Sequence, residues 1–231
     1  MELNDTYFIG NLINEINTHV MGKKTDSYDI LTMANILATF ESAKYFSEKL
    51  SKASNFQNDL ALLTHAISIR KLDGQLLEFG VASGRTINHI SSLTEKTVYG
   101  FDAFTGLPET WRTGFSEGLF SRQSLPVVNK NVELLIGFFE NTLDNFVKNN
   151  NEYISLLHID CDLYGSTKTI FDKLGHLIKS DTVIVFDEYF NYPGWQHHEF
   201  KAFQEYVDRK KIKYRYDSFV STHQQVCVVI E

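Results

Sequence analysis

The stretch QLLEFGVASGRT, residues 75–86, decides how the rest of the chain is interpreted. Its first half is a short apolar run typical of a buried strand, and its second half is a turn bracketed by Gly80 and Gly84. Small residues in a turn that opens a helix allow a ligand to lie against the backbone near the helix N-terminus. The G-x-G-x-x-G spacing of dinucleotide-binding turns does not occur, because Ala82 and Arg85 stand where it requires glycine. The turn therefore predicts either a ligand-binding edge or an ordinary strand-to-helix connection.

Downstream of this stretch, short apolar runs alternate with helical segments. The predicted strands cover residues 75–81, 97–102, 131–137, 154–160 and 182–187. The predicted helices lie between and after them, near residues 84–93, 140–149, 164–179 and 195–210. Strands that alternate with helices predict an α/β fold with a mostly parallel sheet covered on both faces. The tail differs, because two strand-like runs at 212–219 and 225–230 are joined by a short polar turn that suits an antiparallel pair.

The part of the chain before residue 70 has a helical pattern instead. Apolar residues recur at helical spacing within residues 8–20 and 30–70. We therefore expect a helical N-terminal cap at residues 1–70 and an α/β domain at residues 71–231. The cap could instead be a dimerisation element, and the sequence favours neither role.

Composition narrows the class of protein. The 231 residues include 22 Lys and Arg against 29 Asp and Glu, and the net charge of −7 argues against binding to nucleic acid or to an anionic membrane. No apolar run approaches the roughly 18 residues that a membrane span needs, and the first ten residues have no signal-peptide pattern. The two cysteines, Cys161 and Cys227, provide neither a disulfide framework nor a cysteine-based zinc site. These observations predict a cytoplasmic enzyme.

Paired acidic residues follow the fourth and fifth strands of the predicted parallel sheet. Asp160 and Asp162 lie in LHIDCDLY, residues 157–164, and Asp187 and Glu188 lie in VFDEY, residues 185–189. Neighbouring parallel strands end at the same edge, so these carboxylates are expected to converge there. Converging carboxylates repel one another unless a cation lies between them, and they suit a hard cation such as Mg²⁺. The alternative is that the acids cap the helices that follow. His158 is expected to be a buried, hydrogen-bonded residue that at most supports a ligand from behind.

A further acidic residue, Asp102, ends the second predicted strand. An acidic residue roughly 20 positions after a glycine-rich turn typically binds ribose hydroxyls, so this pair of features favours a nucleoside ligand. The alternative is a helix cap or an exposed loop carboxylate. Residues 103–130 form a connection long enough to be a lid or a binding loop. Residues 188–195 are rich in aromatic side chains, which either line an acceptor pocket, pack on the sheet or form an oligomer contact.

These segments together resemble the class I S-adenosylmethionine-dependent methyltransferases. More narrowly, the chain is similar to the macrocin O-methyltransferase family of metal-dependent sugar O-methyltransferases over about residues 70–210. The resemblance rests on LLEFGVASGRT (76–86), VYGFDAFTGLPE (98–109), LLHIDCDLYGSTK (156–168) and VIVFDEYFNYPGWQHHEFKAF (183–203). It implies a Rossmann-like sheet of seven strands, mostly parallel, with an antiparallel final strand.

The resemblance also assigns roles to residues and names the ligands. It implies S-adenosylmethionine and Mg²⁺ or another divalent cation as cofactors, and a nucleotide-linked sugar or small glycosylated molecule as acceptor. Asp160 and Asp162 are the candidate catalytic bases, and the implied metal ligands are Asp160, Asp187 and Glu188. The residues implied in cofactor binding are Glu78, Gly80, Ala82, Ser83, Asp102, Ala103, Gly137, Phe138 and Asp160. The chain departs from the family at residues 81–83 and in having Asp187-Glu188 where many relatives have two aspartates. We further expect a homodimer.

Three other functions fit parts of the sequence. A catechol-like phenol would present the same vicinal hydroxyls to a cation as a sugar does. A nicotinamide-dependent short-chain dehydrogenase would use the Y-x-x-x-K pair formed by Tyr164 and Lys168, although its glycine-rich turn is missing. A binding protein without catalysis would keep the cofactor pocket, but it would have no need of acids at two strand ends.

Overall fold

The computed structural model describes residues 29–231 together with Gly10, Ile13, Asn14 and Thr18. The predicted helix at residues 8–20 lies almost wholly outside the described residues. The chain divides into two units, one within residues 1–36 and one that runs from Leu37 to Glu231. The sheet and all predicted site residues belong to the second unit. The predicted domain boundary at residue 70 stays a prediction.

Helix α1, Ile30–Tyr45, begins after an aspartate that caps it and continues into a short π-helical turn, Phe46–Leu50. The side chain of Asp29 accepts hydrogen bonds from the amide of Leu31 at 3.0 Å and from the hydroxyl of Thr32 at 2.8 Å. None of the helices in the described part of the chain combines the length and apolar character that a membrane span requires.

The expected continuous helical pattern over residues 30–70 is interrupted. Ser54–Asn55 form strand β1, which pairs in parallel with a strand near the C-terminus, and the amide of Phe56 donates to Phe219 at 2.8 Å. Helix α2, Asp59–Ser68, then starts afresh, because Asn58 has extended backbone and its side chain accepts from the amide of Ala61 at 2.9 Å. Apolar spacing on either side cannot reveal such a break, since both helices bury the same kind of face.

Seven further strands and four helices complete the unit. In chain order they are β2 (Gln75–Phe79), α3 (Arg85–Ser92), β3 (Val98–Asp102), β4 (Val132–Ile136), α4 (Phe139–Asn149), β5 (Ile154–Ile159), α5 (Tyr164–Leu174), β6 (Val183–Phe186), α6 (Glu199–Lys210), β7 (Tyr214–Phe219) and β8 (Val226–Ile230). The sheet order is β1-β7-β8-β6-β5-β2-β3-β4, and β8 alone runs against both of its neighbours. The mostly parallel sheet and its antiparallel final strand are confirmed. The described sheet has eight strands rather than seven because β1 adds an edge.

The central strands are buried on both faces, which explains their uninterrupted apolar runs. Every residue of β2, β5, β6 and β8 is buried. One face packs against α4, α5 and α6 through residues such as Phe79 and Phe186, and the other packs against α2 and α3 through residues such as Leu156 and Val185. Burial of this much apolar area, at roughly 25 cal/mol per Å², is the main contribution that holds the sheet between its helices.

The parallel strands bring their carboxyl ends to one edge, where β3 ends at the predicted residue and the other four end one or two residues earlier than predicted. At Gly80 the backbone has a φ of +91°, and a Cβ atom would lie 1.6 Å from the carbonyl oxygen of Asp160. Only glycine allows the chain after β2 to approach the chain after β5 this closely. Most of the predicted site residues lie at this edge of the sheet.

Candidate active site

A cleft of about 1080 Å³ opens at the carboxyl edge of the sheet. A volume of this size lies at the upper end of the range for small-molecule and cofactor sites. The strand ends of β2, β3, β4 and β5 contribute to its wall, and so does the long connection after β3. The predicted cofactor-binding residues that line it are Gly80, Ala82, Ser83, Asp102, Ala103, Gly137, Phe138 and Asp160.

Asp102 is built into the glycine turn. Its Oδ2 atom accepts hydrogen bonds from the amides of Val81 at 2.9 Å and Ala82 at 2.8 Å, and its Oδ1 atom accepts from the amide of Phe104 at 2.7 Å. Three backbone donors on one carboxylate fix the turn between β2 and α3 relative to the end of β3. Each carboxylate oxygen has more than one lone pair, so these bonds leave capacity for a ligand hydroxyl. Part of the side chain faces the cleft.

Glu78 lies behind the turn rather than in the cleft. Its side chain is fully buried, where Oε1 accepts from the hydroxyl of Thr86 at 3.0 Å and Oε2 is 2.9 Å from Nδ1 of His158. Glu78 is not among the residues that line the cleft. Its predicted contact with the cofactor stays a prediction, and its observed role is to fix the start of α3 and the imidazole on β5.

The acidic residues after β5 and β6 converge. Asp160, Asp162 and Glu188 line the cleft, whereas Asp187 is not among its lining residues and accepts a hydrogen bond from Nε2 of Gln225 at 3.0 Å. Because β5 ends at Ile159, Asp162 is no longer in a strand, and it reaches the cleft through left-handed backbone with a φ of +64°. The two aspartates therefore share the cleft because the chain turns after β5, and not because they alternate along a strand.

Burial makes the charge on these carboxylates costly. Removal from water, and then repulsion from Asp187, raise the pKa values of Asp160 and Glu188 well above their ordinary values. The same two causes raise the pKa of Asp162 to about 7, although the guanidinium of Arg112 opposes them. The Oε2 atom of Glu188 is buried and has no hydrogen-bond partner within the described chain. Such a cluster is stabilised by protons or by a cation.

Three ligand atoms lie close enough to hold one metal ion. A nitrogen of His158 and one carboxylate oxygen each of Asp160 and Asp187 are all within 4.8 Å of one another. Of the predicted metal ligands, Glu188 is not part of this set. It lies close enough to Asp160 and Asp187 for their charges to raise its pKa.

Glu199, at the start of α6, is a site residue that the sequence analysis missed. It is fully buried, and its Oε1 atom accepts from the amides of Cys161 at 3.3 Å and Asp162 at 3.2 Å, while Oε2 accepts from the amide of Glu188 at 3.2 Å. One carboxylate thus ties together the chain segments that follow β5 and β6. The only sequence signal was an acidic residue in an apolar helix face, and that signal does not identify its partners.

The wall beyond the acidic residues comes from the connection after β3. The guanidinium carbon of Arg112 lies 4.0 Å from the ring centre of Trp111, 4.4 Å from that of Phe115 and 4.5 Å from that of Tyr192. Arg112 and Trp111 line the cleft, and their Nε and Nε1 atoms, respectively, are buried without a hydrogen-bond partner among the described residues. Part of residues 103–130 therefore lines the cleft, and the role of this segment as a lid or a binding loop stays a prediction.

The aromatic residues that follow β6 pack inside the protein instead. Tyr189, Phe190, Tyr192 and Trp195 are all buried, and within residues 188–195 Glu188 is the one that lines the cleft. Of the interpretations of this segment, packing inside the protein is the one observed within this chain. His223 and Gln224, from the turn between β7 and β8, also line the cleft, and the sequence analysis did not single them out.

The pair that suggested a dehydrogenase is engaged elsewhere. The hydroxyl of Tyr164 donates to Glu205 at 2.7 Å, and Lys168 pairs with Asp172 on its own helix. Neither residue is among those that line the cleft. The geometry therefore gives no support to a Tyr-Lys catalytic pair.

Comparison with known proteins agrees with this geometry. Residues 77–189 match a family model described as a methyltransferase domain. The calicheamicin methyltransferase CalS11 has a TM-score of 0.58 at 20% identity over 74% of this chain and 76% of that chain. The O-methyltransferase NovP has a TM-score of 0.56 at 20% identity over 74% and 78%. No curated protein sequence matches the chain. At these identities the structural likeness concerns the fold.

The fold and the matched domain point to one enzyme class. The matched residues run from β2 to just beyond β6, and they include the glycine turn, Asp102 and the acidic residues after both strands. The overall fold is similar to that of the solved methyltransferase CalS11. The chain therefore contains a methyltransferase domain at residues 77–189, within the mostly parallel sheet described above.

Proposed function

We propose that the protein transfers a methyl group from S-adenosylmethionine to a hydroxyl of a sugar or a small glycosylated molecule, with the help of a divalent cation. The observation that carries the proposal is the convergence of Asp160, Asp162 and Glu188 on the cleft that also contains the glycine turn. Support for a sugar acceptor comes from CalS11, which is described as a TDP-rhamnose 3′-O-methyltransferase and has a TM-score of 0.53 at 16% identity over 98% of this chain and 96% of that chain.

The end of the cleft at β2, β3 and β4 is proposed to hold the cofactor. Asp102 would bind the ribose hydroxyls, and the small residues of the turn leave room for the methionine part. Ala103, Gly137 and Phe138 lie along the same wall. Bound there, S-adenosylmethionine supplies a methyl group activated by its positively charged sulfur, and the cleft holds the acceptor in line with it.

The acidic end fits a divalent cation on two observations. Four carboxylates lie close enough together for their like charges to raise the pKa values of Asp160 and Glu188, and Oε2 of Glu188 has no hydrogen-bond partner in the described residues. We propose Asp160 and Asp187 as ligands, with Glu188 as a third. When bound, the cation acts as a Lewis acid that makes the proton of an acceptor hydroxyl easier to remove.

Removal of that proton is assigned to a carboxylate. Asp162 lines the cleft, and burial raises its pKa to about 7, close to the pH at which a base must both accept and release a proton. Asp160 is the alternative base. Arg112 faces Asp162 and limits the rise in its pKa, while Trp111 and Arg112 provide the wall against which the acceptor would lie.

The proposal is tested with methyl-labelled S-adenosylmethionine and a panel of nucleotide-linked sugars, free glycosides and catechols. We expect transfer to a sugar hydroxyl in Mg²⁺ or Mn²⁺ buffer and its loss in excess EDTA. Equal rates of methyl transfer with and without EDTA would show that the reaction does not need the cation. Transfer to catechols alone would show that the acceptor is a phenol and not a sugar. The homodimer and the cytoplasmic location remain predictions, and gel filtration with light scattering tests the first.

A further inference from the structure

His158 is held in one orientation by groups that are themselves buried. Its side chain has no exposure to solvent, and Nδ1 lies 2.9 Å from Oε2 of Glu78. The other oxygen of Glu78 accepts a hydrogen bond from Thr86 at 3.0 Å, which fixes the carboxylate as well. The imidazole therefore has its Nδ1 atom occupied and its Nε2 atom directed elsewhere.

The Nε2 atom of His158 is buried and has no hydrogen-bond partner among the residues that the structure describes. Burying a polar atom without a hydrogen-bond partner is energetically costly, so its position calls for a physical reason. If the imidazole served only to neutralise the acids, Nε2 would donate a hydrogen bond to Asp160 or Asp187. No such bond is formed, although a nitrogen of His158 lies within 4.8 Å of an oxygen of each.

The spacing of the three groups suits an ion between them. Ligand atoms on opposite sides of a small divalent cation lie roughly 4.2 Å apart, because each is about 2.1 Å from it. A histidine that binds a metal usually has its other ring nitrogen on a carboxylate, which orients the ring and makes the ligand more basic. Glu78 occupies that position relative to His158.

We infer that Nε2 of His158 is a ligand of the cation at the acidic end of the cleft, alongside Asp160 and Asp187, with Glu78 as the residue that positions it. The inference rests on the proposed function, because it assumes the divalent cation that the proposed function requires. A nitrogen ligand favours a transition-metal ion over Mg²⁺, since imidazole binds transition metals better than it binds Mg²⁺. The cation that the enzyme prefers is therefore of the Mn²⁺ or Co²⁺ type.

The test uses the metal-stripped protein with Mn²⁺ alone and pulsed electron paramagnetic resonance. We expect the Mn²⁺ signal to carry coupling to a directly bound ¹⁴N nucleus. In protein grown with ¹⁵N-histidine the coupling should change to that of ¹⁵N, and this measurement needs no substitution in the core. Mn²⁺ that binds without nitrogen coupling, or no binding of Mn²⁺ at all, would overturn the inference.

Two variants assign the nitrogen to one histidine. His158→Gln should lose the coupling and bind Mn²⁺ about tenfold more weakly or worse, given the losses typical even for outer partners of a ligand. The matched control is His176→Gln, because His176 is an exposed residue just after α5. This variant should keep both the nitrogen coupling and the affinity for Mn²⁺. Coupling that persists in folded His158→Gln would mean that another histidine binds the ion.

The inference and the proposed function fail separately. Methyl transfer to sugars without nitrogen coupling would leave the proposed function in place and refute the role of His158. Nitrogen coupling without methyl transfer to any hydroxyl acceptor would leave the metal ligand in place and refute the proposed function.

Discussion

The two ends of the cleft are built from the same residue type but in opposite electrostatic states. At the end of β3, the carboxylate of Asp102 accepts three backbone hydrogen bonds within 3 Å. After β5 and β6, Asp160, Asp162, Asp187 and Glu188 are crowded together, and their mutual repulsion adds to the cost of burial. The negative charge of Asp102 is therefore stabilised by hydrogen bonds, whereas the negative charges after β5 and β6 repel one another.

This difference separates two kinds of site. The Asp102 end is complete without a ligand, because its donors come from the backbone that the carboxylate organises. The acidic end is incomplete, because Glu199 supplies acceptors to three amides but adds one more carboxylate to the cluster. A preformed cofactor end and a cation-dependent acceptor end follow from this contrast, and each of the following predictions tests one side of it.

The largest effect is expected at the acidic end. Asp160→Asn removes a carboxylate that is both a proposed cation ligand and a candidate base. Turnover should therefore fall by at least roughly 10²–10⁴-fold, the range typical for the loss of a general base. Affinity for S-adenosylhomocysteine, measured by calorimetry, should change only a few-fold. The matched control is Asp172→Asn on the exposed side of α5, where the aspartate pairs with Lys168 and Arg209, and it should keep full activity. Normal turnover in folded Asp160→Asn would break the comparison.

The Asp102 end should respond in the reverse way. Asp102→Ala leaves three amides without their acceptor, and since hydrogen bonds to a charged group are worth about 1.5–3 kcal/mol, cofactor affinity should fall by roughly 10–100-fold. Binding of Mn²⁺ in the absence of cofactor should be unaffected, because the acidic end does not rely on Asp102. Titration calorimetry measures both quantities. Unchanged cofactor affinity would show that the turn keeps its shape without Asp102.

Glu199 tests whether the two strand ends are tied together by one carboxylate. Glu199→Ala leaves the amides of Cys161, Asp162 and Glu188 without an acceptor, so we expect a loss of about 3 kcal/mol in the free energy of unfolding. Glu205→Ala on the exposed face of the same helix is the control, with a loss of about 1 kcal/mol or less. Urea unfolding measures both, and equal losses would contradict the bridging role.

The smallest effect concerns the carboxylate of Asp217, which lies outside both ends of the cleft. Burial raises the pKa of Asp217, but hydrogen bonds from Arg215 and from His65 at 2.7 Å outweigh it and leave the pKa below its ordinary value. A lowered pKa in the folded state gives stability that is present above the unfolded value of about 4 and is lost as the pH falls through the folded value. Asp217→Asn should therefore flatten the acid limb of the stability curve, followed by thermal unfolding between about pH 2 and 6.

Asp208→Asn is the matched control for that pH dependence, because Asp208 is an exposed carboxylate near the end of α6. Its acid limb should follow that of the unmodified protein. A pH dependence that is the same in all three proteins would mean that Asp217 contributes no net charge stabilisation.

Much of the architecture could be predicted from local patterns. The buried strands β2, β5 and β6 appear as apolar runs because both of their faces are covered, and the acids that follow them lie at one edge because parallel strands share a direction. The break near Ser54–Asn55 could not be predicted, since a two-residue edge strand depends on its partner β7 and not on its own residues.

The residues of the candidate site also divide into those that local sequence patterns predict and those that they do not. The sequence by itself determined that a glycine turn, Asp102 and two acidic pairs would meet at one edge, because strand direction and period act over a few residues. Only the tertiary structure decided that Glu199 joins the two acidic segments and that Glu78 orients His158 toward Asp160 and Asp187. Those contacts join positions far apart in the chain, and no local pattern specifies which buried polar groups will become partners once the helices pack on the sheet.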